Sequence, residues 1–215
     1  MDSRVLSART LYNNLEPGHK LKALISASAI GYYGAVTGSE IFVESDPPGN
    51  DFLGEVCKNW ESATAQFSQK GIRTVSIRMG VVLSARGGAL SRLAPLAKMG
   101  LSAPVGSGKQ YMPWIHIDDL CEIFIKSIED EEMKGAYNAV SPEQVTNRDL
   151  TRQLAKSLDK PFWLPNIPAL LMRILYGQMA VMLLEGSRVS PGKIMEAGFS
   201  FQYPELEKAL KQIYS

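Results

Sequence analysis

Histidine and cysteine are scarce in this chain of 215 residues: His19 and His116 are its only histidines, Cys57 and Cys121 its only cysteines. None of the four sits at a metal-ligand or CxxC spacing, so no metal centre or disulfide framework is expected. The two thiols, both in helix-like segments, read as buried and free. Long apolar runs are missing as well. The richest, Pro168 to Leu184, is short for a membrane span and carries Arg173 and Gln178, which makes it a buried or amphipathic helix. The first residues, MDSRVLSART, lack the basic-then-apolar pattern of a signal peptide. The expected compartment is therefore the cytoplasm, or an organelle lumen if a targeting segment is missing. A net charge of +1 with scattered Lys and Arg excludes the basic stripe that a nucleic-acid partner requires. Neither nucleic acid nor membrane is an expected partner. Internal repeats and low-complexity stretches are also absent.

What is there is ordinary in amount: 45% of residues are apolar and 21% charged, enough for one buried core and a small appended lobe. Val5, Ala8, Leu11, Tyr12 and Leu15 recur at helical spacing until Pro17-Gly18 stops them. KLKALISASAI then reads as a buried strand, followed by a polar loop that ends in Pro47-Pro48-Gly49. Asp51 is placed to cap a helix that buries Leu53, Val56, Cys57, Trp60 and Phe67 and stops at Gly71. RTVSIRMGVVL is a second strand, and a helix comes after Gly87-Gly88 near Leu90 to Met99. IHIDDLCEIFIKSIED is a short strand entering a helix with Asp118 or Asp119 near its start, where the helix dipole favours an acid. AYNAVS is a third strand, and Thr146 caps a further helix. Beyond Pro161 the chain turns to proline-punctuated helices, ending in a helix over 205–213.

Strands alternating with helices predict an α/β fold, a doubly wound parallel sheet with helices on both faces. The predicted division is residues 1–160 for the sheet domain and 161–215 for a small, mostly helical lobe. Three strands, over 21–28, 73–83 and 137–140, make a thin sheet whose first strand has a free outer edge. The sheet looks incomplete on its N-terminal side. That edge is an expected surface for self-association or a protein partner. A dinucleotide fold also needs a glycine-rich turn from strand into helix. The nearest match is SASAIGYYG, but the residues after it do not have a helical pattern, so a loop beside an active site is the better reading.

Four segments in fixed order carry a resemblance: SASAIGYYG (26–34), EVCKNWE (55–61), IRMGVVLSARGGAL (77–90) and GSGKQYMPWIHIDDL (106–120). With the tail MLLEGSRVSPGKIMEAGFSFQYPELEKAL, the chain resembles atypical extended short-chain dehydrogenases/reductases of the NAD(P)-dependent epimerase/dehydratase family. That group contains nucleoside-diphosphate-sugar epimerase-like members with a C-terminal domain of unknown function. The resemblance covers nearly the whole chain. It implies a Rossmann-like domain whose first strands and phosphate-binding turn precede Met1 in a complete member.

It also implies NADP(H) as cofactor of a complete form and a small-molecule substrate, with weak or no cofactor binding by this chain alone. The dissociation constant is then expected to be weaker than roughly millimolar. The superfamily's chemistry pairs a tyrosine with a lysine four residues later, and a Ser or Thr positions the reacting hydroxyl. Ser28 stands near that Ser/Thr position, with Ser26 as its rival. Leu53 and Cys57 stand where the tyrosine and lysine belong, and neither replaces them chemically. Lys58 is one residue off, about 100° around the helix. Tyr32 and Tyr33 are the phenols that could take over, against a packing role for the pair. His116, with Asp118 as a potential orienting acid, reads as a structural histidine at a strand-to-helix junction, and Trp60 and Glu61 as core and junction residues. Arg4 and the strand end Gly80, Val81 and Val82 are carried over as cofactor contacts. Lys109, Gln110, Tyr111 and Trp114 form the expected substrate-side wall. Met172, Met179 and Met182 are expected to pack the lobe onto the main domain. Two functions stay open: hydride transfer on a sugar nucleotide or other small carbonyl or hydroxyl compound, or a non-catalytic NADP(H)-binding regulatory or scaffold protein linked to division. An inactive truncated product is a third alternative.

Overall fold

The computed structural model describes residues 2–35 and 38–214; Val36 and Thr37 of the polar loop lie outside the described residues, as do the terminal Met1 and Ser215. The chain opens with α1 (Asp2–Asn14), then β1 (Ala23–Ala29), a 3-10 turn (Ile30–Tyr33) and the two-residue β2 (Ile41–Phe42). α2 (Phe52–Ala65) starts where Asp51 accepts a hydrogen bond from the Gly54 amide at 2.8 Å, as the sequence predicts. After it come β3 (Arg73–Met79), β4 (Val81–Ser84), α3 (Gly88–Lys98), β5 (Trp114–His116), α4 (Ile117–Glu129) and β6 (Gly135–Ala139). α5 (Asn147–Ser157) begins with a full capping box between Thr146 and Asp149. The remainder is α6 (Ala169–Tyr176), a 3-10 turn (Gly177–Ala180), α7 (Val181–Leu184), β7 (Arg188–Val189), α8 (Gly192–Glu196) and α9 (Leu206–Tyr214).

The main sheet is parallel, in the order β1-β3-β6. Its register runs from Ala23 opposite Arg73 to Ala29 opposite Met79, and from Val75 opposite Gly135 to Met79 opposite Ala139. Among the described residues β1 pairs only with β3, so its outer edge is free, as expected. Val75 and Ile77 of β3 pack against Ile115, Leu120 and Ile123 from β5 and α4. The opposite face of β3 is polar: Arg78 is buried at 3% exposure. A buried parallel strand is normally apolar on both faces, so this charge needs a local partner.

One expectation is corrected at Gly80. The run 73–83 is two strands, because the chain leaves β3 there and pairs β4 with β5, Val81 opposite Trp114 and Leu83 opposite His116. The backbones meet closely: the Val81 amide donates to the Pro113 carbonyl at 2.7 Å, and a Cβ on residue 80 would lie 2.7 Å from that same oxygen. Only glycine fits.

Residues beyond 160 close back on the rest. β7 pairs with β2, and Leu206, Ala209 and Leu210 of α9 join a core cluster with Leu83, Leu90 and Trp114. The buried Asp119 carboxylate accepts the Gln202 and Tyr203 amides at 2.7 and 3.0 Å. Three burial expectations differ from the structure. Cys121 is exposed on α4 while Cys57 is buried, and Met179 and Met182 are 66% and 55% exposed while only Met172 is buried. Among the described residues no helix is long and apolar enough to cross a membrane.

Candidate functional site

Arg78 organises the polar face of the sheet. Its Nε and Nη2 donate to the two Glu61 carboxylate oxygens, each at 2.9 Å, the bidentate geometry in which guanidinium and carboxylate match best. Nη1 donates to the Tyr33 hydroxyl at 2.9 Å, and that hydroxyl donates to Asn138 Oδ1 at 2.7 Å. Ser28 Oγ donates to Glu61 Oε1 at 2.6 Å, and the Tyr32 ring lies 3.4 Å from the guanidinium carbon. The Asn138 amide donates to Glu44 Oε1 at 2.8 Å and its side chain to the Ser190 carbonyl at 3.1 Å. The network thus ties α2, β1, β3, β6 and the segment after β7 together. Burial works against the Arg78 charge, but the Glu61 carboxylate and Tyr33 outweigh it and raise the Arg78 pKa.

Ser28, Tyr32 and Tyr33 belong to this network. Burial pushes the Tyr33 hydroxyl up to about 12 despite the nearby Arg78, so it stays protonated at neutral pH. Its folded pKa lies above the unfolded value near 10. The resulting stabilisation is complete below about pH 10 and is lost as pH rises through about 12. Ultraviolet titration of the phenolates should show one tyrosine ionising last, near pH 12, and Tyr33→Phe should delete that step. If all eight tyrosines ionise together near pH 10 in the folded protein, the network is looser than drawn.

A cleft of about 280 Å³ opens beside the network, where β1, α2 and the Gly80 break converge. Its walls are Ala29 at the end of β1, Ile30, Gly31, Gly34 and Ala35 after it, Leu53 and Cys57 on α2, Met79 to Val81, Tyr111 to Pro113, and Met182 with Glu185 to Ser187. Cys57 Sγ lies 3.7 Å from where a Cβ on Gly31 would sit. Burial, reinforced by the Glu61 charge, pushes the Cys57 thiol up, so it is neither a thiolate nor a substitute for a lysine at neutral pH.

The expected site residues divide accordingly. Gly80, Val81 and Tyr111 line the cleft, whereas Val82 packs into the core beneath it. Lys109 is exposed outside it. Gln110 and Trp114 are fully buried and are corrected from wall to support. The Gln110 amide donates to the Val105 and Leu183 carbonyls at 3.0 and 2.8 Å, which fastens α7 to the 105–111 loop. Arg4 lies in a different, open groove along the free edge of β1, its guanidinium 4.7 Å from the Trp60 ring, beside Ser26. His116 is the structural histidine the sequence predicts: it caps α4 through the Asp118 amide and meets Gln212 Oε1 at 3.0 Å. Sequence reasoning missed Met79, Met112 and the 182–187 segment as cleft walls. It also missed the network, whose one visible signal was a charged residue inside the apolar run RTVSIRMGVV.

A parallel α/β sheet with a ligand-sized cleft at the C-terminal ends of its strands defines a Rossmann-like fold. The model of the NAD dependent epimerase/dehydratase family matches residues 3–140, and a domain of unknown function matches residues 167–213. The chain belongs to the NAD dependent epimerase/dehydratase family. It is 38% identical over 203 residues to the chloroplastic epimerase family protein SDR39U1 homolog of Arabidopsis thaliana, covering 94% of this chain and 58% of that protein. It is 36% identical over 200 residues to the mouse SDR39U1 protein, covering 92% of this chain and 67% of that one. The chain therefore spans about three fifths to two thirds of the length of these relatives. The crystal structure of human SDR39U1 (isoform 2) with NADPH superposes with a TM-score of 0.92 at 31% identity, covering 99% of this chain and 72% of that chain. A nucleoside-diphosphate sugar epimerase from Corynebacterium glutamicum gives a TM-score of 0.81 at 32% identity, over 99% and 42%.

Proposed function

We propose that this chain carries the nicotinamide- and substrate-facing part of an NADP(H)-dependent oxidoreductase or epimerase site. Its substrate is a sugar nucleotide or another small carbonyl or hydroxyl compound. The observation that supports this is the break at Gly80, which leaves a bare backbone between Met79 and Val81 on the cleft wall. A planar ring can lie against such a surface, and the human relative was solved with NADPH. When bound, that group supplies or accepts a hydride. The fit stops at this end: Ile30–Tyr33 is a single 3-10 turn, which gives a pyrophosphate no helix N-terminus.

Leu53 and Cys57 occupy the α2 wall where the resemblance expects tyrosine and lysine, and the network holds Ser28 and Tyr33. The proton for the substrate oxygen is assigned to Tyr111, the phenol among the described cleft walls. Loss of the usual couple favours a second reading, a cofactor-binding protein without turnover. The compartment proposed is the cytoplasm, with an organelle as the alternative suited to the chloroplastic relative.

Saturation-transfer NMR of the chain with NADPH tests the first reading. Binding should be roughly millimolar or weaker, with stronger transfer to nicotinamide protons than to adenine protons. Equal transfer, or transfer mainly to adenine, would sink it. In an NADPH-driven aldehyde reduction assay, Tyr111→Phe should lower turnover by roughly 10²-fold. Ser28→Ala should act only through stability, losing about 1 kcal/mol with one hydrogen bond. Nicotinamide contact without turnover on any carbonyl would favour the second reading.

A further inference from the structure

Helices α6 and α7 leave a run of large apolar side chains uncovered. Leu170, Ile174, Leu175, Met179 and Met182 are 55 to 71% exposed. Large apolar side chains left exposed close together in the chain mark a binding surface more often than scattered ones do. Arg173 is the sole charged residue from 169 to 184. The patch is continuous with the cleft, because Met182 belongs to both. Gln110 and the close approach of Gly186 to the Tyr111 backbone hold that junction in place.

The cleft has the same character. Ile30, Leu53, Met79, Val81, Met112 and Met182 face it, and among its described walls there is no Lys or Arg. Glu185 is the one acid there. The Arg188 guanidinium lies 5.0 Å from the ring of the wall residue Tyr111, and the side chains that line the cleft are otherwise mostly apolar. Apolar walls of this kind favour an apolar ligand over a diphosphate, which would lose its hydration there.

We infer that the substrate is a lipophilic alcohol or carbonyl compound, whose oxygen-bearing carbon sits at Tyr111 and whose apolar chain leaves past Met182 along α7 and α6. This rests on the hydride-transfer reading of the cleft and names its substrate class.

Straight-chain 1-alkanols from butanol to decanol, titrated calorimetrically into the chain, are the probes, with uridine diphosphate as the polar comparator. Affinity should rise about fourfold per added methylene, and uridine diphosphate should give no heat. Ile174→Ser with Leu175→Ser should flatten the rise for the longer alkanols and leave butanol unchanged. Both side chains point to solvent, so the fold is kept. Affinity independent of chain length, or binding of uridine diphosphate that decanol does not displace, would overturn the inference. So would a dimer in analytical ultracentrifugation that the same double variant dissociates, since the patch would then be an interface between copies. If NADPH still shows saturation transfer to its nicotinamide protons but alkanol length has no effect, the substrate class alone is overturned. If alkanol length matters but the nicotinamide protons receive no transfer, the hydride-transfer reading is overturned and the apolar ligand is kept.

Discussion

Replacing Arg78 with methionine is expected to destabilise the protein by about 3–5 kcal/mol, because it strands the Glu61 carboxylate in a buried site. For a chain of this size that corresponds to a fall in melting temperature of roughly 10 °C. Arg78 is 3% exposed, and its guanidinium meets Glu61 twice at 2.9 Å, Tyr33 once, and the Tyr32 ring. Its loss leaves Tyr33 with Asn138 alone and Glu61 with the Ser28 hydroxyl. The double variant Arg78→Met, Glu61→Leu should recover most of the loss, since it removes the uncompensated charge as well as its partner. Thermal unfolding by circular dichroism checks both. A single-variant fall below about 2 °C, within the range of a surface substitution, would mean the pair is hydrated and not buried.

The sequence made the scaffold legible where a short-range physical rule decides the outcome. Asp51 and Thr146 announce their helices through capping bonds that need only three residues of chain. Gly71 closes the turn after α2 in the left-handed conformation, at a φ of 73°. The free edge of β1 came from counting apolar runs. What escaped depends on long-range partners. β2 and β7 are two residues each, too short for periodicity, and exist because residues 41–42 and 188–189 meet. The polar face of β3 depends on Glu61, Tyr33 and Asn138 arriving from three other elements. Gln110 and Trp114 looked like loop chemistry because polarity and ring size do not reveal burial. Gln110 is held in the interior by the Val105 carbonyl and by the Leu183 carbonyl that α7 brings back to it.

Gly186→Ala should damage the cleft more than any other single methyl group added there. A Cβ at this position would be driven into the Tyr111 carbonyl oxygen, which is backbone on both sides and cannot rotate away. The 185–189 segment must then lift from the loop at 105–113. Its attachments go with it: the Ser187 hydroxyl on the Gly34 carbonyl at 3.2 Å, the Gln144 amide on the Val189 carbonyl at 2.9 Å, and the β2–β7 pair. The expected loss is about 3 kcal/mol, the upper part of the range for forcing atoms into a packed site. A decanol affinity at least tenfold weaker should accompany it, because Met182 and Tyr111 no longer face each other across a closed wall. Gly87→Ala is the control. Residue 87 has an extended φ of 176° and nothing within 4 Å of an added Cβ, so its change should stay within about 0.5 kcal/mol. Denaturant unfolding and decanol titration of the two variants side by side decide the point. If they behave alike, the approach of Gly186 to Tyr111 does not set the cleft wall, and the continuity between cleft and apolar patch has to come from Gln110 alone.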